Sequence, residues 1–157
     1  MKFSRTMAVM AASVIAAATG IVGAGAASAA SPQAFCVNGS SVCAVGEGAS
    51  SAVFMFASGS PTAWLFNNQT HPPAQIQQAG ADLCLQLDHS AGNIVIEATC
   101  NRASYQTWQA APIITNAPIN GIAYVSEWDT NLCLTYNADE EILDAVNCDG
   151  AWYQAFG

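Results

Sequence analysis

The residues most suited to chemistry in this 157-residue chain are six cysteines, Cys36, Cys43, Cys84, Cys100, Cys133 and Cys148. An even count in an oxidising compartment predicts disulfides ahead of thiol or metal chemistry. Proton-transfer candidates are fewer, since His71 and His89 are the only histidines. A hydrolytic centre would need a nucleophile, a base and an orienting group that can meet. His71 stands in Thr70-His71-Pro72-Pro73, which reads as a linker. Asp88-His89-Ser90 are consecutive in a turn, and adjacency alone does not bring three side chains to one point. The chain is therefore expected not to be an enzyme. Asp139-Glu140-Glu141 with Asp144 offers oxygen ligands but lacks the Asp-x-Asp-x-Asp-Gly spacing of a calcium loop. It reads as a solvated loop, and no metal or cofactor is expected.

What places these residues begins with the first 30. Met1-Lys2-Phe3-Ser4-Arg5, an apolar stretch from Met7 rich in Ala and Val, and Ala27-Ser28-Ala29 match the basic segment, apolar segment and cleavage site of a secretory signal peptide. A membrane span is the alternative, but Gly20, Gly23 and Gly25 interrupt it and no basic flank follows. Residues 1–30 are thus expected to be removed, and residues 31–157 to form one secreted domain. The leader holds two of the three basic residues, Lys2 and Arg5, and inflates the hydrophobic fraction of 52%. From residue 31 onward Arg102 alone stands against eleven acids, a net charge of −10 with histidine neutral. Such a surface repels nucleic acid and anionic lipid, so neither is an expected partner, and no membrane association is expected after cleavage.

Within the mature part the cysteines reveal a threefold repeat. Val42-Cys43-Ala44, Leu83-Cys84-Leu85 and Leu132-Cys133-Leu134 share one pattern. Eight residues earlier stand Phe35, Ile76 and Val125, and two residues earlier the turn formers Ser41, Asp82 and Asn131. An aromatic follows each cysteine after about 23 residues, at Phe66, Trp108 and Phe156. The repeats fall at about 31–70, 71–118 and 119–157. Short alternating runs such as Ala74 to Gln78, Leu83 to Leu87 and Ile94 to Ala98 are separated by Gly, Asn, Asp and Pro, which predicts an all-β domain with about four short strands in each unit. Cys100 follows Cys84 at nearly the distance by which Cys148 follows Cys133, so each pair is expected to close a hairpin. A loop of that length is worth on the order of 3 kcal/mol in the chain-entropy account. Cys36 and Cys43 then pair by elimination across Asn38-Gly39-Ser40.

Leu83-Cys84-Leu85, Cys100 and Gln106-Thr107-Trp108 together resemble the repeat of the ricin B-type β-trefoil lectins: a Cys-Leu-Asp strand, a second cysteine and Gln-x-Trp. The third unit repeats it as Leu132-Cys133-Leu134, Cys148 and Gln154-Ala155-Phe156. The first keeps only Val42-Cys43-Ala44 and an aromatic near Phe66. The resemblance implies a β-trefoil stapled by disulfides, in which Trp108 and Phe156 fill the shared core and the Gln side chains tie backbone together.

It also implies where a sugar would sit. Galactose-binding members use an Asp two residues after the first cysteine, an aromatic two residues before the second, and polar groups near the Gln-x-Trp. A carboxylate takes adjacent hydroxyls while the apolar sugar face lies on the ring. Here the Asp position is Val45, Gln86 and Thr135, and the platform position is Ala98 and Val146 in the last two units, so no standard galactose site is present. Gln86 with Gln106, or Thr135 with Asp144 and Gln154, would make a weaker polar pocket. Tyr105, Trp128, Tyr136 or Trp152 would supply a relocated platform. Alternatively Gln86 and Thr135 are plain solvent-facing strand residues. The functional expectation is a secreted, non-catalytic carbohydrate-binding trefoil with degenerate sites. The competing one is a protein-binding trefoil, for instance an inhibitor of a secreted hydrolase, whose partner presents a basic surface to the acidic third unit. Asn38-Gly39-Ser40 and Asn68-Gln69-Thr70 match the glycosylation sequon.

Overall fold

In the computed structural model, residues 31–57, 59–67, 73–114 and 120–157 are described. The expected leader, residues 1–30, and the segment bearing Asn68-Gln69-Thr70 and His71 lie outside the described residues. Among the described residues eleven strands follow one another as β1 (Gln33–Ala34), β2 (Cys43–Val45), β3 (Phe54–Phe56), β4 (Ala63–Asn67), β5 (Gln75–Gln78), β6 (Leu83–Asp88), β7 (Ile94–Thr99), β8 (Trp108–Ile114), β9 (Asn120–Ser126), β10 (Leu132–Asn137) and β11 (Ile142–Asn147). Two-residue periodicity sets their faces: β7 buries Val95 and Glu97 while Ile94 and Ile96 stay half-exposed.

Three hairpins, β2–β3, β6–β7 and β10–β11, share one register, with Ala44 opposite Met55, Leu85 opposite Glu97 and Leu134 opposite Ala145. Their second strands meet, Ile142 pairing with Phe54, Asp144 with Ile94 and Ala52 with Ile96, so the hairpins form one cap. The other strands make a ring. β1 pairs β4, β4 pairs β5, Ala74 at the start of β5 bridges Trp108, and β8 pairs β9. Phe156 then bridges both Ile122 and Val37, returning the chain to its first unit. A closed barrel with a threefold hairpin cap is the β-trefoil, and closure leaves few strand edges unpaired. The expected fourth strand of the third unit is reduced to the Phe156 bridges.

The three disulfides join Cys36 to Cys43, Cys84 to Cys100 and Cys133 to Cys148, the pairs the repeat predicts. Trp108 and Phe156 are fully buried, and Phe35 stacks on Phe156 at 4.4 Å and meets Tyr124 edge-on at 5.3 Å. Two equivalences counted along the sequence shift. Tyr124, not Val125, matches Phe35 and Ile76, because Cys36 pairs with Cys43 and Gln77 with Cys84 whereas Val125 pairs with Cys133 across one more residue. The first-unit counterpart of Trp108 is Trp64 rather than Phe66. The Trp64 and Trp108 indole N–H groups donate to Ala44 O (3.4 Å) and Leu85 O (3.3 Å), each the residue after a first cysteine.

On the second strands of the hairpins a buried charge breaks the apolar pattern. Met55, Glu97 and Ala145 occupy equivalent places, and Glu97 has no exposed surface. Its Oε2 accepts the Gly48 N–H at 2.7 Å, and its Oε1 has no hydrogen-bond partner among the described residues. The space is opened by Gly46, where an added Cβ would lie 2.3 Å from Glu97 Oε1. Gly46 stands where the second and third units carry Leu87 and Tyr136. Gly46→Ala should therefore lower stability in urea unfolding by roughly 1–3 kcal/mol through overpacking. Combined with Glu97→Ala the loss should largely disappear; equal losses in both backgrounds would mean the carboxylate is not the obstacle.

Candidate functional site

Gln106 and Gln154 each close a short 3-10 turn, Ser104–Gln106 and Trp152–Gln154, and both are fully buried. Gln106 Oε1 accepts from Asn101 N (2.8 Å) and Gln75 Nε2 (3.2 Å), while its Nε2 donates to Thr99 O and Gln86 Oε1, each at 2.9 Å. Gln154 repeats the arrangement: Oε1 accepts from Asp149 N (3.0 Å) and Gly150 N (3.2 Å), and Nε2 donates to Asn147 O (2.9 Å) and Thr135 Oγ1 (3.2 Å). The structure thus joins the expected pairs Gln86 with Gln106 and Thr135 with Gln154, with the glutamines turned inward as ties. Thr135 is not solvent-facing: it is buried and donates to Cys133 O at 2.8 Å. Gln86 is half-buried.

Asp144 lies opposite Thr135 in the β10–β11 hairpin but bonds elsewhere, its Oδ2 accepting from Asn137 Nδ2 at 3.1 Å. Its Oδ1 is buried without a partner among the described residues. Burial, reinforced by the Glu140 charge and partly opposed by Asn137, holds the carboxyl above its ordinary range. The first unit holds a platform that counting from a second cysteine misses. Phe56 lies opposite Cys43, as Ala98 and Val146 lie opposite Cys84 and Cys133. Its ring is parallel to that of Phe54 at 5.8 Å and, with Val45 and Pro61, lines a shallow depression of about 30 Å³.

Three rings converge where the second unit meets the third. Trp128, in the β9–β10 turn, is 56% exposed, with its ring centroid 5.3 Å from His89 and 6.3 Å from Tyr105. Trp128 is fixed on both sides. Glu127 N donates to Thr107 O (3.0 Å), Thr107 Oγ1 donates to Glu127 Oε2, and Asp129 N donates to Ser126 Oγ (3.4 Å). His89 Nδ1 lies 3.0 Å from Asn93 Oδ1, in the turn that Asp88 caps by accepting from Ser90 N (2.9 Å) and Ser90 Oγ (2.6 Å). The Ser90 bonds hold the Asp88 carboxyl below its ordinary range. Asn101 Nδ2 donates to the Tyr105 hydroxyl at 3.3 Å. Of the four candidate platforms, Tyr105 and Trp128 come together, Tyr105 and Tyr136 both pack against the core, and Trp152, half-exposed, meets Tyr153 edge-on at 5.8 Å. Sequence gave no sign that His89 would join them, because the contact spans two units.

Gln106→Leu should cost about 2–4 kcal/mol in urea unfolding, since several buried groups lose a partner, whereas Gln86→Ala should cost under about 1 kcal/mol. For Asp144 the sign runs the other way from a salt-bridged acid. A raised native value means the ionised form is disfavoured on folding, so the unfavourable contribution is present above that range and fades as pH falls and the group protonates. Asp144→Asn should raise the thermal midpoint at about pH 7 and give no gain near about pH 3, as followed by circular dichroism.

No family model matches the chain, and no curated protein matches it in sequence. Solved structures do match its shape. The endo-β-galactosidase from Clostridium perfringens that releases GlcNAcα1-4Gal superposes with a TM-score of 0.66 at 10% identity, over 80% of this chain and 31% of that one. A mosquitocidal holotoxin gives 0.65 at 13% identity, over 81% of this chain and 17% of that one. The chain therefore spans less than a third of either protein. The designed threefold-symmetric protein ThreeFoil gives 0.62 at 10% identity, over 78% of this chain and 94% of that one. At these identities the likeness establishes the β-trefoil fold.

Proposed function

We propose that the protein is a secreted, non-catalytic carbohydrate-binding β-trefoil whose binding surface has moved from the hairpin faces to the aromatic platform of Trp128, Tyr105 and His89. The observation that carries this reading is Trp128. Its ring is half-exposed while the backbone on either side is pinned, and two rings of another unit flank it. An indole held open to solvent on a pinned backbone offers the flat apolar surface on which a pyranose face lies. Asn93 and Asn101 sit beside the flanking rings and supply amide groups for hydroxyls. That one structural neighbour is an enzyme acting on a galactose-containing glycan fits this reading. Three disulfides fit an oxidising destination.

A second reading rests on a separate observation. The parallel Phe54 and Phe56 rings on the first hairpin form an apolar face with Val45 where a sugar-binding carboxylate would stand, a surface suited to a protein partner. A glycan array on the mature protein separates the two. The sugar reading predicts binding that Trp128→Ala weakens at least tenfold, about 1.4 kcal/mol, and that Gln86→Ala leaves unchanged. Binding lost in Phe56→Ala but kept in Trp128→Ala would move the site to the first unit. A blank array at high micromolar protein would overturn the sugar reading.

A further inference from the structure

The ligand class of this platform follows from the charges around it. Glu127 and Asp129 flank Trp128 in the chain, Asp88 precedes His89, and a single base, Arg102, follows Asn101. Thr107 Oγ1 donates to Glu127 Oε2, and Asn131 N donates to Asp129 Oδ1 at 3.0 Å, so the two residues on either side of Trp128 have their carboxylates fixed by the turn that carries it. The carboxylate that would read a neutral diol from the hairpin face is absent, Val45, Gln86 and Thr135 standing in its place. An exposed indole between two acidic residues of the chain, in a segment of net charge −10, is complementary to a cation carried on an apolar frame.

We propose that, given a sugar-binding role for this platform, it selects oligosaccharides whose amino sugars carry free, protonated amines, and discriminates against their N-acetylated forms. Trp128 takes the sugar face, with His89 and Tyr105 at its edges. The ammonium groups are drawn by Glu127 and Asp129, with Asp88, next to His89 in the chain, adding to the negative field. Acetylation removes the positive charge and with it both the ring–cation attraction and the carboxylate contacts.

The test is titration calorimetry of the mature protein with a glucosamine hexamer, an N-acetylglucosamine hexamer and a lysine hexapeptide. The expected result is at least tenfold tighter binding of the glucosamine hexamer than of the other two at about 50 mM salt, shrinking as salt rises toward about 500 mM. Trp128→Ala should abolish that preference. Glu127→Gln, which keeps an acceptor for Thr107, should reduce glucosamine binding several-fold and leave any binding of the acetylated hexamer untouched. Equal or tighter binding of the acetylated hexamer overturns the amine preference and leaves the sugar reading standing. Equal binding of the lysine peptide, or full glucosamine binding in Trp128→Ala, reduces the effect to general charge attraction and overturns the proposal. If neither hexamer binds, the amine proposal falls, and the glycan array decides the sugar reading separately.

Discussion

The fold depends on a single junction between the two ends of the domain. Phe35 stacks on Phe156, Val37 bridges Phe156, Asn38 N donates to Ala155 O at 2.8 Å, and Gly157 N donates to Cys36 O at 3.1 Å. The joins β1–β4, Ala74–Trp108 and Ile122–Phe156 each step across one hairpin, whereas this one links the last unit to the first and so converts three successive units into a ring. Its loop-closure cost is the largest in the molecule, and the aromatic burial of Phe35, Tyr124 and Phe156 offsets it. The Cys36–Cys43 disulfide fixes the strand that receives the returning chain, which gives the short first bridge a purpose beyond its modest loop. Once the ring is closed, the three hairpins are brought into one cap and their registers become equivalent.

That equivalence limits where binding chemistry can reside. In the second and third units the buried glutamine uses its amide to hold the turn that follows the hairpin, and its remaining bond goes to Gln86 or Thr135 on the strand. The side chains that would face a sugar on the hairpin are thus drawn into the scaffold. The three units differ at the seams between them, where turns of different length meet. The His89, Tyr105 and Trp128 cluster stands at such a seam, and the Glu97–Gly46 contact occupies another, with a carboxylate in one unit fitted to a glycine in the next.

How much of this was legible in the sequence depended on whether the information was local. Cysteine spacing and the duplicated Leu-Cys-Leu strand marked the repeat and two of the disulfides, because covalent pairing across a hairpin tolerates small changes in loop length; Cys36–Cys43 followed only by elimination, and the trefoil from the added Gln-x-Trp resemblance. Counting outward from a cysteine failed wherever a loop had gained or lost a residue. The β9–β10 connection displaced Tyr124 by one position from Val125, and the differing length of the first unit put Trp64 where Phe66 was expected. Phe56 was hidden because the first unit has no second cysteine to count from. Glu97 reads as an ordinary charge in an alternating strand, and only the glycine opposite, in another unit, makes its burial sterically feasible. The aromatic platform was half visible: Tyr105 and Trp128 were recognisable as unassigned rings, but their meeting with His89 is a property of the closed ring.

The central claim is that the seam between the second and third units, rather than a hairpin face, is the binding surface. The four tryptophans supply built-in reporters, since Trp64 and Trp108 are fully buried and Trp128 and Trp152 are about half-exposed. In nitrogen–proton correlation spectra of the labelled mature protein, titration with an amine-bearing oligosaccharide should shift the Trp128 indole signal and leave those of Trp64, Trp108 and Trp152 in place. A shift confined to Trp152, or four unmoved indoles alongside bound sugar, would contradict the account.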